Sequence, residues 1–199
     1  MTKIGDAYRW IYGRVTERPT NFSWVIPGHL AGSGLPATRE ELEWILRQGI
    51  RSIITVRESP LPMEWLDSIN EEKHGQKQLE YQNSKNNSNN KNNNENHRIK
   101  IDYLYLRVED FGVPSLDELD STVDHIKEQM DVGNPVMVHC AAGRGRAGTV
   151  LAAFFLKNEG LGAVEAIEKI RSLRPGSVQS ERQEMLLSMY EKYLKDGLS

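Results

Sequence analysis

The stretch Val138-His139-Cys140-Ala141-Ala142-Gly143-Arg144-Gly145-Arg146 decides how this chain is read. It holds the only cysteine of the 199 residues, with five residues, two of them glycine, between Cys140 and Arg146. Pro135 to His139 is short, apolar and partly β-branched, the pattern of a buried strand. Ala147 to Asn158 reads as a helix that Gly160 stops. Cys140 therefore sits in a strand–loop–helix turn. At a helix start the unpaired N–H groups and the positive dipole end point into the loop. Gly143 and Gly145 let the backbone curl so that several N–H groups converge. A phosphate dianion fits such a nest, and Arg146 adds a fork of donors matched to two of its oxygens. The same field favours the thiolate of Cys140. His139 is expected to hydrogen-bond nearby backbone and fix the loop, with Ala141, Ala142 and Arg144 completing the anion-binding segment. The plain alternative is that Cys140 is a small buried hydrophobe at a strand end, a role that calls for neither Arg146 nor the glycines.

The rest of the chain alternates strand and helix patterns. Thr38 with Glu41 three residues later forms a capping-box pattern opening a helix over 38–48, with Leu42, Ile45 and Leu46 inward. Ile50 to Val56 reads as a strand, Met63 to Glu72 as a helix, and 99–107 as a strand. Ser115 and Glu118 open a helix over 115–131, with Leu116, Leu119, Val123 and Ile126 inward. Helices are expected at 162–173 (Ala163, Ala166, Ile167, Ile170) and 180–194 (Met185, Leu186, Met189, Tyr190). The fold class is therefore α/β, a central, mostly parallel sheet flanked by helices, with the cysteine loop at the carboxyl end of a strand. Residues 1–20 read as a helical extension and 21–199 as the main domain. The Asn-rich run at 82–98 cannot bury enough apolar area to offset its ordering entropy and is expected to be a disordered surface insertion.

Composition narrows the partners. A formal net charge of −3 gives no general pull towards nucleic acid or anionic membrane. There is no run of 18 apolar residues, so no membrane span is expected, and Met1 to Asp6 lacks the apolar core of a signal peptide. One cysteine excludes intrachain disulfides and suits a reducing, cytoplasmic location. The five histidines show no ligand spacing with Cys140, so neither a metal site nor a cofactor is expected. The expected state is a monomer.

The segment from His139 to Arg146 resembles the His-Cys, five residues, Arg signature of the cysteine-based protein tyrosine phosphatases. Its glycine pattern is most similar to the dual-specificity branch. Asn21 to Gly28, Leu30-Ala31-Gly32 and Arg174-Pro175-Gly176-Ser177 resemble the small atypical members. The resemblance covers about residues 21–193, apart from the Asn-rich insertion. It implies a dual-specificity phosphatase fold and a phosphocysteine mechanism. Cys140 would be the nucleophile and Arg146 would hold the phosphate. Asp110, thirty residues before Cys140, would be the general acid, with Glu109 as the neighbouring alternative. Gln183 would lie near the catalytic water and Glu58 in a supporting loop. It implies an acidic optimum and, as partner, a phosphoprotein or other phosphomonoester.

Two positions depart from the family pattern. Relatives carry Ser or Thr directly after the loop arginine, to support the leaving thiolate; here the residue is Ala147, as in the phosphatases of regenerating liver. Slow phosphoenzyme hydrolysis is expected, uncompensated by Thr149. Arg144 stands where many relatives have an apolar residue and the phosphoinositide branch has lysine. Phosphotyrosine, with phosphoserine or phosphothreonine, is the expected substrate class. A phosphoinositide, an inositol phosphate, an RNA 5′-phosphate, a low-turnover phosphate-binding scaffold and a rhodanese-like sulfur transferase remain open.

Overall fold

The structure is a computed structural model describing residues 11, 16–67 and 101–197. The expected Asn-rich insertion at 82–98, most of the 1–20 extension and the end of the 63–72 helix lie outside the described residues. The strands are β1 (Ser23–Ile26), β2 (Leu30–Ser33), β3 (Ser52–Arg57), β4 (Asp102–Arg107) and β5 (Val136–His139). The helices are α1 (Arg39–Arg47), α2 (Leu116–Asp131), α3 (Gly145–Glu159), α4 (Ala163–Leu173) and α5 (Glu181–Asp196). The strands form one sheet in the order β1-β2-β5-β3-β4. It is parallel throughout except for β1, which pairs antiparallel with β2. This is the mostly parallel α/β sheet expected. The β1–β2 hairpin was not read as strands from the sequence: both are four residues long and interrupted by polar positions or glycine. A one-residue step in register and Gly28 at φ +73° close their turn.

Alternation along β5 sorts its side chains between two cores. Val136, Val138 and Cys140 join the larger core, against α2 to α5. Met137 joins the smaller one, with Leu42, Ile45 and Leu46 of α1. Side chains two residues apart share a face. His139 therefore lies on the α1 side of the sheet, while Cys140 lies on the other.

Local chemistry sets the helix starts. Ser115 and Glu118 form the reciprocal capping box opening α2. Thr38 caps α1 by accepting from the Glu41 N–H, but the Glu41 carboxylate reaches one residue further back, to Ala37 N–H at 2.5 Å. Burial raises the pKa of Glu41, opposed by the N–H groups of Ala37 and Thr38. Gly160 ends α3 in the left-handed conformation at φ +67°. One inward set needs correction. In α5 the buried residues are Gln183, Leu186, Leu187 and Tyr190, whereas Met185 and Met189 are exposed. The apolar residues of that helix lie on more than one face, and position 183, 187 and 190 spacing selects the stripe that meets the core.

Candidate active site

The loop after β5 is organised by its carbonyls. His139 Nδ1 lies 3.3 Å from the Cys140 carbonyl. Leu35 N–H donates to Ala141 O at 3.0 Å, and Asn21 Nδ2 to Ala142 O at 2.7 Å. Arg174 Nη2 donates to Gly143 O at 2.6 Å. Arg144 O accepts from the N–H groups of Gly148 and Val178, and Gly145 O from Thr149 Oγ1 at 2.9 Å. Every carbonyl from 140 to 145 is thus held by a neighbour around the loop. That leaves the amides to turn the other way, the geometry of an anion nest. Gly143 N–H already points at Cys140 Sγ, 3.3 Å away. Gly143 has φ +74°, and a Cβ there would sit 2.3 Å from the Ser33 carbonyl carbon, so no other residue fits.

Helix α3 starts two residues earlier than expected, at Gly145, and no side chain caps it. Its first N–H groups and its dipole add to the nest. Arg146, in that first turn, is buried. Its Nη1 donates to Val108 O at 2.8 Å, and the same nitrogen lies 3.1 Å from Glu58 Oε2, an ion pair without hydrogen-bond alignment. Its Nη2 donates to Asp110 Oδ1 at 3.2 Å. Burial raises the pKa of Glu58, but its own backbone N–H and the Arg146 guanidinium outweigh that and hold the carboxyl below its usual range. Glu109 points elsewhere and pairs with Arg107 on the surface. Arg146, Asp110 and Glu58 are therefore brought together, just beyond the loop that begins at Cys140, and Glu109 is not.

Gln183 is buried, and its Oε1 accepts from Gln179 N–H at 2.8 Å. A Cβ on Gly145 would lie 3.0 Å from Gln183 Nε2, which places the amide against the loop. Arg144 is exposed, its stem beside Gly176. Ala141 is buried and Ala142 partly so, their carbonyls tied back as described. Ala147 is fully buried. Thr149 spends its hydroxyl hydrogen on Gly145 O, so it is not free to donate to the Cys140 sulfur.

Arg174, in the stretch Arg174-Pro175-Gly176-Ser177, has a task that its place in the sequence does not reveal. It donates to Ser23 Oγ at 2.5 Å, Gly32 O at 2.8 Å and Gly143 O at 2.6 Å, tying the loop to β1 and β2. Burial pushes its guanidinium down to about 10; Cys140 favours the charge and Arg144 opposes it. Next to it Val178 is held at φ +55°, costly for a β-branched residue. The Val178 N–H donates to Arg144 O, and its own carbonyl accepts from Arg171 at 2.7 Å.

Comparison with known proteins gives this arrangement a family. The model of the dual specificity phosphatase, catalytic domain, matches residues 66–193. That of the Swiss Army Knife protein DSP-PTPase phosphatase domain matches residues 19–102. The uncharacterized protein MJECL20 of Methanocaldococcus jannaschii is 40% identical over 47% of this chain and 63% of its own length. The human phosphatidylglycerophosphatase and protein-tyrosine phosphatase 1 is 38% identical over 41% of this chain and 44% of its own. The chain thus spans less than two thirds of either relative. The crystal structure of Tk-PTP in the active form superposes with a TM-score of 0.66 at 23% identity, covering 86% of this chain and 97% of that one. Loop, sheet order and a family match across most of the second half of the sequence agree: the chain belongs to the dual specificity phosphatase catalytic-domain family.

Proposed function

We propose that the protein hydrolyses phosphomonoesters through a phosphocysteine. The observation that carries this reading is the ring of tied-back carbonyls at 140–145, with the Gly143 N–H directed at Cys140 Sγ and the helix start that carries Arg146 directly after the loop. The Cys140 thiolate attacks phosphorus in line, forming the S–P bond as the P–O ester bond breaks. Asp110 delivers its proton to the leaving oxygen. Water then attacks the phosphocysteine, giving a proton back to Asp110, and the thiolate leaves. Loop amides and Arg146 hold the equatorial oxygens, where charge builds up. The incoming phosphate competes with Glu58 and Asp110 for the Arg146 guanidinium, so binding releases Asp110 for its role as acid. Gln183, packed against Gly145, is assigned to orient the water. These steps use side chains of the chain and water alone.

The preferred substrate class is protein phosphotyrosine, with phosphoserine and phosphothreonine accepted. Phe111 supports it: an exposed ring, one residue from the acid and held at φ +57°, is offered to an aryl group. A second reading is a lipid phosphate such as a phosphoinositide. Arg144, exposed on the loop, supports it, and so does the likeness to a relative named for phosphatidylglycerophosphate. The test of the chemistry is p-nitrophenyl phosphate hydrolysis from acid to neutral pH, with chelator, for wild type and Cys140→Ser. Activity with an acidic optimum that vanishes in the variant is the expected result; a folded, reduced wild type with no turnover would overturn the proposal. Specificity is read by comparing a phosphotyrosine peptide with a phosphoinositide in wild type, Phe111→Ala and Arg144→Ala. Selective loss on the peptide in Phe111→Ala favours the first reading, and selective loss on the lipid in Arg144→Ala the second.

A further inference from the structure

A chain of hydrogen bonds runs through the α1 side of the sheet to the root of the catalytic loop. Leu61 N–H donates to Tyr103 Oη at 2.8 Å. Tyr103 Oη donates to Thr55 Oγ1 at 3.1 Å. Thr55 Oγ1 lies 2.7 Å from His139 Nε2, and His139 Nδ1 3.3 Å from the Cys140 carbonyl. Thr55 and His139 are direct partners in the β3–β5 register, and both are fully buried. Thr55 is the hydroxyl in an otherwise apolar run, Ile53-Ile54-Thr55-Val56.

The direction of this chain follows from which atoms own hydrogens. A carbonyl only accepts, so the Cys140 carbonyl requires the imidazole hydrogen on Nδ1. Burial, countered by the Cys140 carbonyl and aided by the charge of Arg57, holds His139 down to about 4, so it carries one ring hydrogen at neutral pH. Nε2 is then a lone pair and must accept from Thr55. Thr55 has one hydrogen and has spent it, so its oxygen accepts from Tyr103. The Tyr103 oxygen in turn accepts the Leu61 N–H. Each link is satisfied in only one sense.

We infer that Thr55 is a positioning residue for the cysteine chemistry. Its hydroxyl, committed as a donor to Nε2 by Tyr103 on its other side, joins the Cys140 carbonyl in holding His139 in the Nδ1–H tautomer and so steadies the direction of the first peptide of the anion nest. Tyr103 extends the control to the segment that carries Glu58. The hydroxyl of Tyr105 donates to Glu58 O at 2.8 Å, so two tyrosines of β4 hold that segment at once. Glu58 meets Arg146 and His139 precedes Cys140; one network therefore aligns the partner of the phosphate-binding arginine with the nucleophile.

This inference rests on Cys140 being the nucleophile, and its test separates the two ideas. Nitrogen-15 NMR of the His139 ring in the whole protein reads the tautomer whether or not the protein hydrolyses anything. Nδ1–H with an accepting Nε2 is the expected wild-type state; Nε2–H in wild type overturns the inference by itself. Thr55→Val removes the hydroxyl at equal shape. It is expected to mix the tautomers and lower kcat about tenfold to a hundredfold with KM little changed, and Thr55→Ser to restore both. A Thr55→Val protein with the wild-type spectrum and kcat, or a Thr55→Ser protein as impaired as Thr55→Val, overturns it.

Discussion

The front and the back of the 140–146 loop each hold a buried arginine, and the two are held by different kinds of partner. Arg146, on the front, faces two carboxylates, Glu58 and Asp110, and one carbonyl. Arg174, on the back, faces three carbonyls, of Ser23, Gly32 and Gly143, and a serine hydroxyl. A carboxylate is an anion that a phosphate can replace; a backbone carbonyl cannot leave. The Asp110 side chain keeps 33% of its exposure, so water can take over there when the guanidinium turns away, whereas the Glu58 oxygen that faces Arg146 is buried. The acceptors behind the loop have no such recourse, because Gly32 and Gly143 lie inside the fold. The same side chain is thus set to work on one face and to brace on the other. The difference lies in what its partners can do without it.

The sharpest way to break this contrast is to remove each guanidinium in turn. Arg146→Met should lower kcat about 10³-fold, since it takes away the donor pair nearest the reacting phosphate, while the denaturant midpoint stays close to wild type. Arg174→Met should do the reverse. It strands four acceptors, two of them carbonyls in buried hydrogen bonds, and should cost on the order of 3 kcal/mol of unfolding free energy. Parallel urea titrations and p-nitrophenyl phosphate assays read both. A destabilised Arg146→Met with a stable Arg174→Met would invert the assignment.

How much of this was legible beforehand depends on range. The strand–loop–helix turn, the capped start of α2 and the Gly160 stop are local, and within the described residues most expected boundaries meet the structure within about two residues, the usual fraying; the strand expected from 99 begins at Asp102. Cys140, Arg146 and Asp110 could be picked out because their types are rare in that order. The task of Arg174 could not, because its partners Ser23, Gly32 and Gly143 are 151, 142 and 31 residues away. Thr55 left a signal, a hydroxyl within an apolar strand, but its meaning needed the register that sets it opposite His139. Met185 and Met189 belong to the apolar set of α5, yet both face solvent. In α5 the polar Gln183 takes a buried position because the loop, not the apolar core, is what it packs against.

The back of the loop should also report itself through acid. His139 has an ordinary pKa of 6.5 unfolded and about 4 folded, lowered mainly by burial. Below pH 6.5 the unfolded chain gains a proton that the folded one refuses. Stability from this group is therefore complete above that pH and is lost as pH falls towards 4, by about 3 kcal/mol in all. Carboxylates add their own acid losses, so the comparison is with His139→Gln, which has no imidazole to protonate. At neutral pH the variant should be the less stable, and the gap in urea midpoint should close as pH falls to about 4.5. A gap that stays constant would mean that His139 takes up its proton alike in both states.

The smallest expected effect belongs to the front, where Ala147 follows the working arginine. On the proposed mechanism, a serine there would bring a hydroxyl to the first turn of α3 that could stabilise the thiolate as it leaves phosphorus. Thr149 cannot supply this, because its hydrogen goes to Gly145 O. Wild type should therefore show a burst of nitrophenol on rapid mixing, followed by a slower steady rate. Ala147→Ser should raise the steady rate by about tenfold, less than the roughly 10²–10⁴-fold of a positioned general acid or base, and shrink the burst. Position 147 is fully buried, so the added oxygen needs an acceptor or it will cost stability. A faster steady rate with an unchanged midpoint would show that the sulfur or the bound phosphate supplies one. A linear trace in wild type would instead place the slow step before phosphoenzyme breakdown, and Ala147 would then have no part in limiting turnover.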